Sequence, residues 1–385
     1  MKSTLKTDPV ILFKEVPVSP EVLVSVVIPV KNEADCIAEC LSAFLMQIDA
    51  DGQKIDEKTF ELLILVNNCT DESAAIIEKF IEKNPDVNVF PEEMILEREQ
   101  ANIGFVRKTL MDIACSRLNK NGGGIIMTTD ADTIVSPDWI CQNIREITEG
   151  ADAVGGRILF KEDDLNNLDT NTLLFHEEDE KYQLLVAEFE THMLENFDCN
   201  KTGHHQHFNG SFAVTTGCYE KAGGIPEVTH LEDCAFYEQL LRIDAKVRHS
   251  TDVKVKTSAR YIGRTEIGLS NQLHLWSKID PENKNFLVES FESLWTRFTL
   301  KKKLYGLWKR REKETLNLPE ELERIDENMM ISEDMISQFS LTTYFGEWFQ
   351  CIKNQNEIKW REKFPSSPIE EAIKKLQHYL RDHSP

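Results

Sequence analysis

Two stretches, Val22 to Val30 and Leu62 to Val66, are apolar on both faces and rich in β-branched side chains. Such a strand has to be covered on both sides, as at the centre of a parallel sheet. Each run leads into a polar loop and then a helical pattern. Lys31-Asn32-Glu33-Ala34-Asp35 precedes a predicted helix from Cys36 to Gln47, with Ile37, Leu41, Phe44 and Leu45 on one face. Asn67-Asn68-Cys69-Thr70-Asp71 precedes another, from Ser73 to Lys83. Val87 to Phe90 reads as a third, short strand, and Phe105 to Leu118 as a helix entered through Asn102-Ile103-Gly104. The fourth apolar run, Ile125 to Thr129, ends in Asp130-Ala131-Asp132 and is followed by the helix start Ser136-Pro137-Asp138 and a helix to Ile147.

Strand and helix alternating at short intervals imply an α/β chain with a doubly wound, mostly parallel sheet, right-handed crossovers and helices on both faces. Three polar loops, Lys31 to Asp35, Asn67 to Asp71 and Asp130 to Asp132, then share one sheet edge. Ligands bind at that carboxyl edge in open α/β sheets. Alternation along an extended chain aims Asp130 and Asp132 to the same side, so both can reach one divalent cation and the phosphate oxygens it carries. The plainer reading is an Asx-rich turn closing a strand. No loop has Gly-x-Gly-x-x-Gly or Gly-x-x-x-x-Gly-Lys, so neither glycine-amide cradle for phosphate is available.

Composition narrows the class. A chain of 385 residues with 41% apolar content can bury a full core, and its length suits one large domain with an appendage, or two domains. A net charge of −22 argues against a nucleic-acid partner. The nine cysteines include no Cys-x-x-Cys pair, a pattern expected of reduced thiols in a cytoplasmic protein. Residues 1–20 form a mixed, polar N-terminal extension without a signal-peptide pattern. No apolar stretch approaches the roughly 20 residues of a membrane span.

The second half continues with a strand, Ala153 to Phe160, an acidic tract, Lys161 to Asp169, expected as a solvated loop, and a helix from Tyr182 to Asn196. His204-His205-Gln206-His207 is the densest histidine cluster. In an extended segment His205 and His207 point the same way, as metal or anion ligands would; a polar loop entering the strand Phe208 to Val214 is the equal alternative. Gly210 brings bare backbone close to something. Thr229-His230-Leu231-Glu232-Asp233 leads into a helix from Cys234 to Arg242.

Val26-Val-Ile-Pro-Val-Lys-Asn-Glu33, the strand ending in Asn67-Asn-Cys-Thr-Asp71, Asn102-x-Gly104 ahead of Arg107, Asp130-Ala-Asp132 followed by Pro137, and Leu231-Glu-Asp233 together resemble glycosyltransferase family 2, of the GT-A fold. The resemblance covers Val22 to Arg264 in order and spacing. It implies a catalytic domain over 21–265, with a donor half 21–150 and an acceptor half 151–265. It implies a nucleotide-diphospho-sugar donor, Mn²⁺ or Mg²⁺, and inversion at the anomeric carbon. Pro29, Lys31, Glu33, Asn67, Asp71 and Arg107 then fall on donor-site positions, with Asp130 facing ribose and metal. Asp132 matches the metal ligand and Asp233, beside Glu232, the catalytic base. Where Asn67 stands the family more often has an aspartate, which leaves the base of the nucleotide open. Processive members carry Gln-x-x-Arg-Trp; its absence here points to single transfer. Arg260 and Arg264 are candidates to close on the diphosphate, since guanidinium forks suit phosphate oxygens.

Residues 266–385 lose the strand patterns and read as a helical region. Within 294–313, Trp295, Phe298, Leu304, Leu307 and Trp308 alternate with Lys301, Lys302, Lys303, Lys309, Arg310, Arg311 and Lys313. Such a helix either rests on an anionic membrane, where a lipid-linked acceptor would be met, or packs its aromatic stripe on the protein; packing is favoured. The acceptor is otherwise a small molecule or a glycan. Competing classes fit less well. In haloacid dehalogenase phosphatases Asp-x-Asp is followed by threonine two residues on, whereas Thr133 adjoins Asp132. A sugar nucleotidyltransferase needs a glycine-rich loop where this chain has Lys31-Asn32-Glu33. A non-catalytic nucleotide-sugar or carbohydrate binder is separated only by assay.

Overall fold

The computed structural model describes residues 12–13, 17–194, 203–261, 263, 268–279, 286–327 and 329–383. The first half alternates as expected: β1 (Val24–Val30), α1 (Ile37–Phe44), β2 (Phe60–Asn67), α2 (Ser73–Lys83), β3 (Val89–Met94), α3 (Ile103–Asn119), β4 (Ile125–Thr129), the two-residue β5 (Ile134–Val135) and α4 (Trp139–Thr148). Then come β6 (Ala153–Phe160), α5 (Glu162–Asn167), α6 (Thr170–Met193), β7 (Ser211–Thr215), α7 (Thr216–Ala222), α8 (Glu232–Arg242) and β8 (Val247–Thr257). The rest is mostly helical: α9 (Leu269–Trp276), β9 (Leu287–Val288), α10 (Phe291–Arg310), α11 (Leu318–Ile325), α12 (Glu333–Leu341), α13 (Phe345–Lys363), β10 (Ser367–Pro368) and α14 (Ile369–His383).

The main sheet runs β3-β2-β1-β4-β7-β6-β8-β5. β3, β2, β1 and β4 are parallel, β7 is antiparallel to both neighbours, and β6 is parallel to β8. The order reverses between β1 and β4, and this is where an open α/β sheet forms its crevice. Pairing there ends at Val27–Thr128, whereas β1 stays paired with β2 to Val30–Val66. Pro29 therefore sits in a central strand beyond the last β4 pairing, where a missing N–H disrupts no ladder on that side.

Alternate side chains of β1 and β2 enter two cores. Val26, Ile28, Val30, Leu62 and Ile64 face α1, α2 and α4, while Val27, Leu63 and Leu65 face α3, α7 and α8. Gly155 and Gly156 let the chain before β7 cross β6 closely. A Cβ at Gly155 would lie 2.4 Å from the Gln206 carbonyl, and one at Gly156 would lie 2.2 Å from Ser211 Oγ.

Two expectations change. The acidic tract is not a loop: Glu162, Asp163 and Asp164 occupy the first turn of α5, where carboxylates complement the helix dipole. The next helix begins at Thr170 rather than Tyr182, because the Asp169 carboxylate accepts from Asn171 N–H and Thr172 N–H, both at 3.0 Å. The expected extension of that helix to Asn196 falls outside the described residues.

The stripe of α10 packs inward. Leu294 and Phe298 join α6 and α14, and Leu304, Leu307 and Trp308 join α11, α12 and α13. Packing thus takes up most of the apolar face that a membrane would have met, with Trp295 left 39% exposed. The helical region is also seated on α8. Asp244 accepts from Phe345 N–H and Gly346 N–H, both at 2.7 Å, and a Cβ at Gly346 would lie 1.8 Å from the Leu241 carbonyl.

Candidate active site

The loops after β1 and β2 are bound to each other. Asn32, in the left-handed region at φ 55°, accepts from Thr70 N–H at 2.8 Å. Asp71 accepts from Ala34 N–H at 3.0 Å with one oxygen and from the Ser73 hydroxyl at 2.6 Å with the other; that hydroxyl also accepts from Glu33 N–H at 2.9 Å. The structure thus engages Asp71 in holding the first loop's shape. Asn67 is buried at the end of β2, and Lys31 is half-buried at the loop's start.

The Glu33 carboxylate turns inward and forms a two-pronged pair with Arg260, at 2.7 and 2.9 Å. The same guanidinium reaches Asp132 Oδ2 at 2.9 Å. Thr257, the last residue of β8, donates to Asp132 Oδ1 at 3.4 Å. β5 pairs with that end of β8 directly after the acidic loop, so the sheet itself brings Asp132 and the Arg260 segment together. Burial, then the Asp130 charge, pushes the Asp132 carboxyl up to about 6, with Arg260 opposing.

A second arginine gathers the other carboxylates. Asn102 caps α3, accepting from Phe105 N–H at 2.9 Å. Gly104 lets this helix start lie against the chain leading to α8: a Cβ there would be 2.0 Å from the Val228 carbonyl. One turn on, Arg107 is 2% exposed in its side chain and donates to the Thr128 hydroxyl, to Asp130 Oδ1 at 2.5 Å and to Glu232 Oε1 at 3.2 Å. Asn209 Nδ2 donates to the same Glu232 oxygen at 3.3 Å. Burial lowers the Arg107 pKa, but Asp130, Glu232 and Asp233 outweigh it and keep the guanidinium charged.

Leu231 precedes α8 at φ 55°, half-exposed, a conformation costing an L residue roughly 1–3 kcal/mol. It turns the chain so that Glu232 is buried against Arg107 while Asp233 stays half-buried, accepting from Cys234 N–H at 2.8 Å. Gly210 adjoins this assembly: a Cβ would lie 3.2 Å from both Asp130 Oδ2 and Ile158 Cδ1.

The histidines go elsewhere. His204 Nδ1 accepts from Gln206 N–H at 3.1 Å, so its Nε2–H donates to the Ser250 carbonyl at 3.0 Å. His207 stacks on Tyr237 with ring centroids 4.0 Å apart, and Tyr237 meets His249 Nε2 at 3.2 Å. Burial pushes His204 and His205 down to about 4 and His249 to about 3, which keeps them neutral. His207 Nδ1 meets the His205 carbonyl at 3.0 Å, and among the described residues neither His205 nor His207 bonds to Asp130 or Asp132, so the contacts lend no support to the metal-ligand reading of this pair. Among the described residues no three His, Cys, Asp or Glu side chains are arranged as a metal cage. Arg264 lies outside the described residues.

Residues 25–209 match the model of Glycosyl transferase family 2. This stretch of the chain is similar to that family. The family 2 match includes β1 to β6, Asp130, Asp132 and Asn209, and stops before Glu232, Asp233 and Arg260. The chain is 28% identical over 138 residues to glycosyltransferase AglE of Haloferax volcanii, covering 36% of this chain and 40% of that one. It is 24% identical over 252 residues to an undecaprenyl-phosphate 4-deoxy-4-formamido-L-arabinose transferase of Shewanella sediminis, covering 66% of this chain and 64% of that one. It therefore spans less than two thirds of either relative's length. A solved structure, the mannosyltransferase PcManGT from Pyrobaculum calidifontis in complex with GDP-Man and Mn²⁺, is loosely similar, with a TM-score of 0.44 at 14% identity, over 93% of this chain and 80% of that one.

Thr128, Asn209 and Thr257 escape a reading of the sequence alone. They lie on β4, ahead of β7 and at the end of β8, and only the strand order brings them to the carboxylates.

Proposed function

We propose that this chain transfers a glycosyl group from a nucleotide-diphospho-sugar to an acceptor hydroxyl, with inversion, divalent-metal assistance and one transfer per encounter. The observation that supports this most is that Asp130, on the donor side, and Glu232, at the start of α8, share the Arg107 guanidinium. That contact ties the acidic loop to the first turn of α8, which also carries Asp233.

In this reading the hydroxyl oxygen attacks the anomeric carbon as the bond to the diphosphate oxygen breaks, and the hydroxyl proton passes to Asp233. Asp233 is suited to this because it is more accessible than Glu232 and is not tied up by Arg107. Glu232 and Arg107 position it. Pro29, Glu33 and Asn67 line the nucleoside side.

Asp132, with Asp130 beside it, would hold Mn²⁺ or Mg²⁺. The donor set suits such an ion, since Mg²⁺-type sites use one or two carboxylates plus substrate phosphates rather than a full protein cage. Burial, then the Asp130 charge, raises Asp132, and a bound cation would offset both. When bound, the ion stabilises the charge left on the nucleoside diphosphate.

The acceptor is a small molecule, a glycan or lipid-linked, the last suggested by the undecaprenyl-phosphate relative. No described helix is long and apolar enough to cross a membrane, and the cysteine pattern favours the cytoplasm, with peripheral membrane contact where the acceptor requires it. The test is release of nucleoside diphosphate from a panel of nucleotide sugars with Mn²⁺. Release from none of them would leave a sugar-nucleotide binder without turnover.

A further inference from the structure

Arg260 lies three residues beyond β8, on a stretch that the β5–β8 pairing carries to the acidic loop. Its fork spans Glu33, from the first crossover, and Asp132, from the fourth, at 2.7 to 2.9 Å. The Glu33 and Asp132 side chains are only 7% and 13% exposed. Two carboxylates so little hydrated, with Asp130 nearby, repel one another, and a positive charge between them offsets that repulsion. The guanidinium supplies that charge, and it does so through Asp132 Oδ2, an oxygen that a divalent ion on Asp132 would also draw on.

We propose that Arg260 is a built-in counter-ion that competes with the divalent cation for Asp132, so that the cation enters together with the diphosphate rather than ahead of it. The inference rests on the metal reading of Asp132 given above. A guanidinium fork pairs with two phosphate oxygens as readily as with a carboxylate. An arriving nucleoside diphosphate therefore offers Arg260 new partners at the moment the ion takes over Asp132. Without the diphosphate, the ion has to displace an arginine held by three contacts to Glu33 and Asp132.

The experiment is calorimetric titration of Mn²⁺ alone into the full chain, for the wild type, Arg260→Gln, Asp132→Asn and the double variant. Removing the competing charge-assisted bonds is expected to tighten Mn²⁺ binding by about tenfold or more in Arg260→Gln, and the double variant is expected to lose that gain. Arg260→Lys, which keeps the charge but not the fork, is expected to lie between wild type and Arg260→Gln, and covers the case in which Arg260→Gln fails to fold. Equal or weaker Mn²⁺ binding in the arginine variants, with Asp132→Asn still abolishing Mn²⁺ binding in the presence of nucleoside diphosphate, overturns the competition and leaves the metal site standing. Mn²⁺ binding with nucleoside diphosphate that is the same in Asp132→Asn as in wild type overturns both.

Discussion

Asp130 and Glu232 accept from one guanidinium, that of Arg107, at 2.5 and 3.2 Å. One side chain comes from the acidic loop after β4 and the other from the first turn of α8. The buried arginine that joins them makes the two halves of the candidate site a single electrostatic unit.

That unit has a stability consequence. Arg107→Met leaves Glu232 buried without its counter-charge, and breaking a buried pair in this way costs about 3–5 kcal/mol. Urea denaturation is expected to show that loss, and Arg107→Met with Glu232→Gln is expected to recover part of it.

Asp233 is expected to separate binding from turnover. In Asp233→Asn the turnover number should fall by about 10² to 10⁴, the usual worth of a general base, with donor affinity unchanged by calorimetry. Unchanged turnover would remove Asp233 from the role.

Close backbone approach at α3 is a third target. A Cβ at Gly104 meets the Val228 carbonyl, a backbone atom that cannot swing aside. Gly104→Ala is expected to destabilise by about 1–3 kcal/mol in a thermal melt, and to lower turnover by shifting both Arg107 and the approach to α8.

The histidine group sets a pH dependence. Folding lowers His204, His205 and His249 from 6.5 to about 4, 4 and 3 by burial. Between those values and 6.5 the unfolded chain binds more protons than the folded one, so stability rises with pH and is lost as pH falls below 6.5. By pH 5 each histidine accounts for up to about 2 kcal/mol of that loss. Urea midpoints at pH 7 and pH 5 check it, and His249→Asn should flatten the difference.

The strands β1, β2, β4 and β6 were legible in the sequence because continuous apolar runs have few other places to go, and the resemblance pointed to Glu33, Asp132 and Asp233. What remained hidden depended on topology. Nothing local tells that β7 inserts antiparallel between β4 and β6, or that β8 returns beside β5 to lay Arg260 across Glu33 and Asp132. Residues 170–181 carry too weak an apolar stripe to announce a helix, and its start is set by the Asp169 cap. His205 and His207 are ambiguous for the same reason: alternation says that they point alike but not toward what, and the structure seats His207 against Tyr237 and His249.

The central claim is that Asp132 serves a metal-bridged nucleoside diphosphate. A thermal-shift panel of nucleoside diphosphates, each with and without Mn²⁺, on wild type and Asp132→Asn, tests it most directly. The expected result is a Mn²⁺-dependent rise in melting temperature with one nucleoside diphosphate, absent in Asp132→Asn. No shift with any nucleoside diphosphate, or the same shift in both proteins without metal, would contradict it.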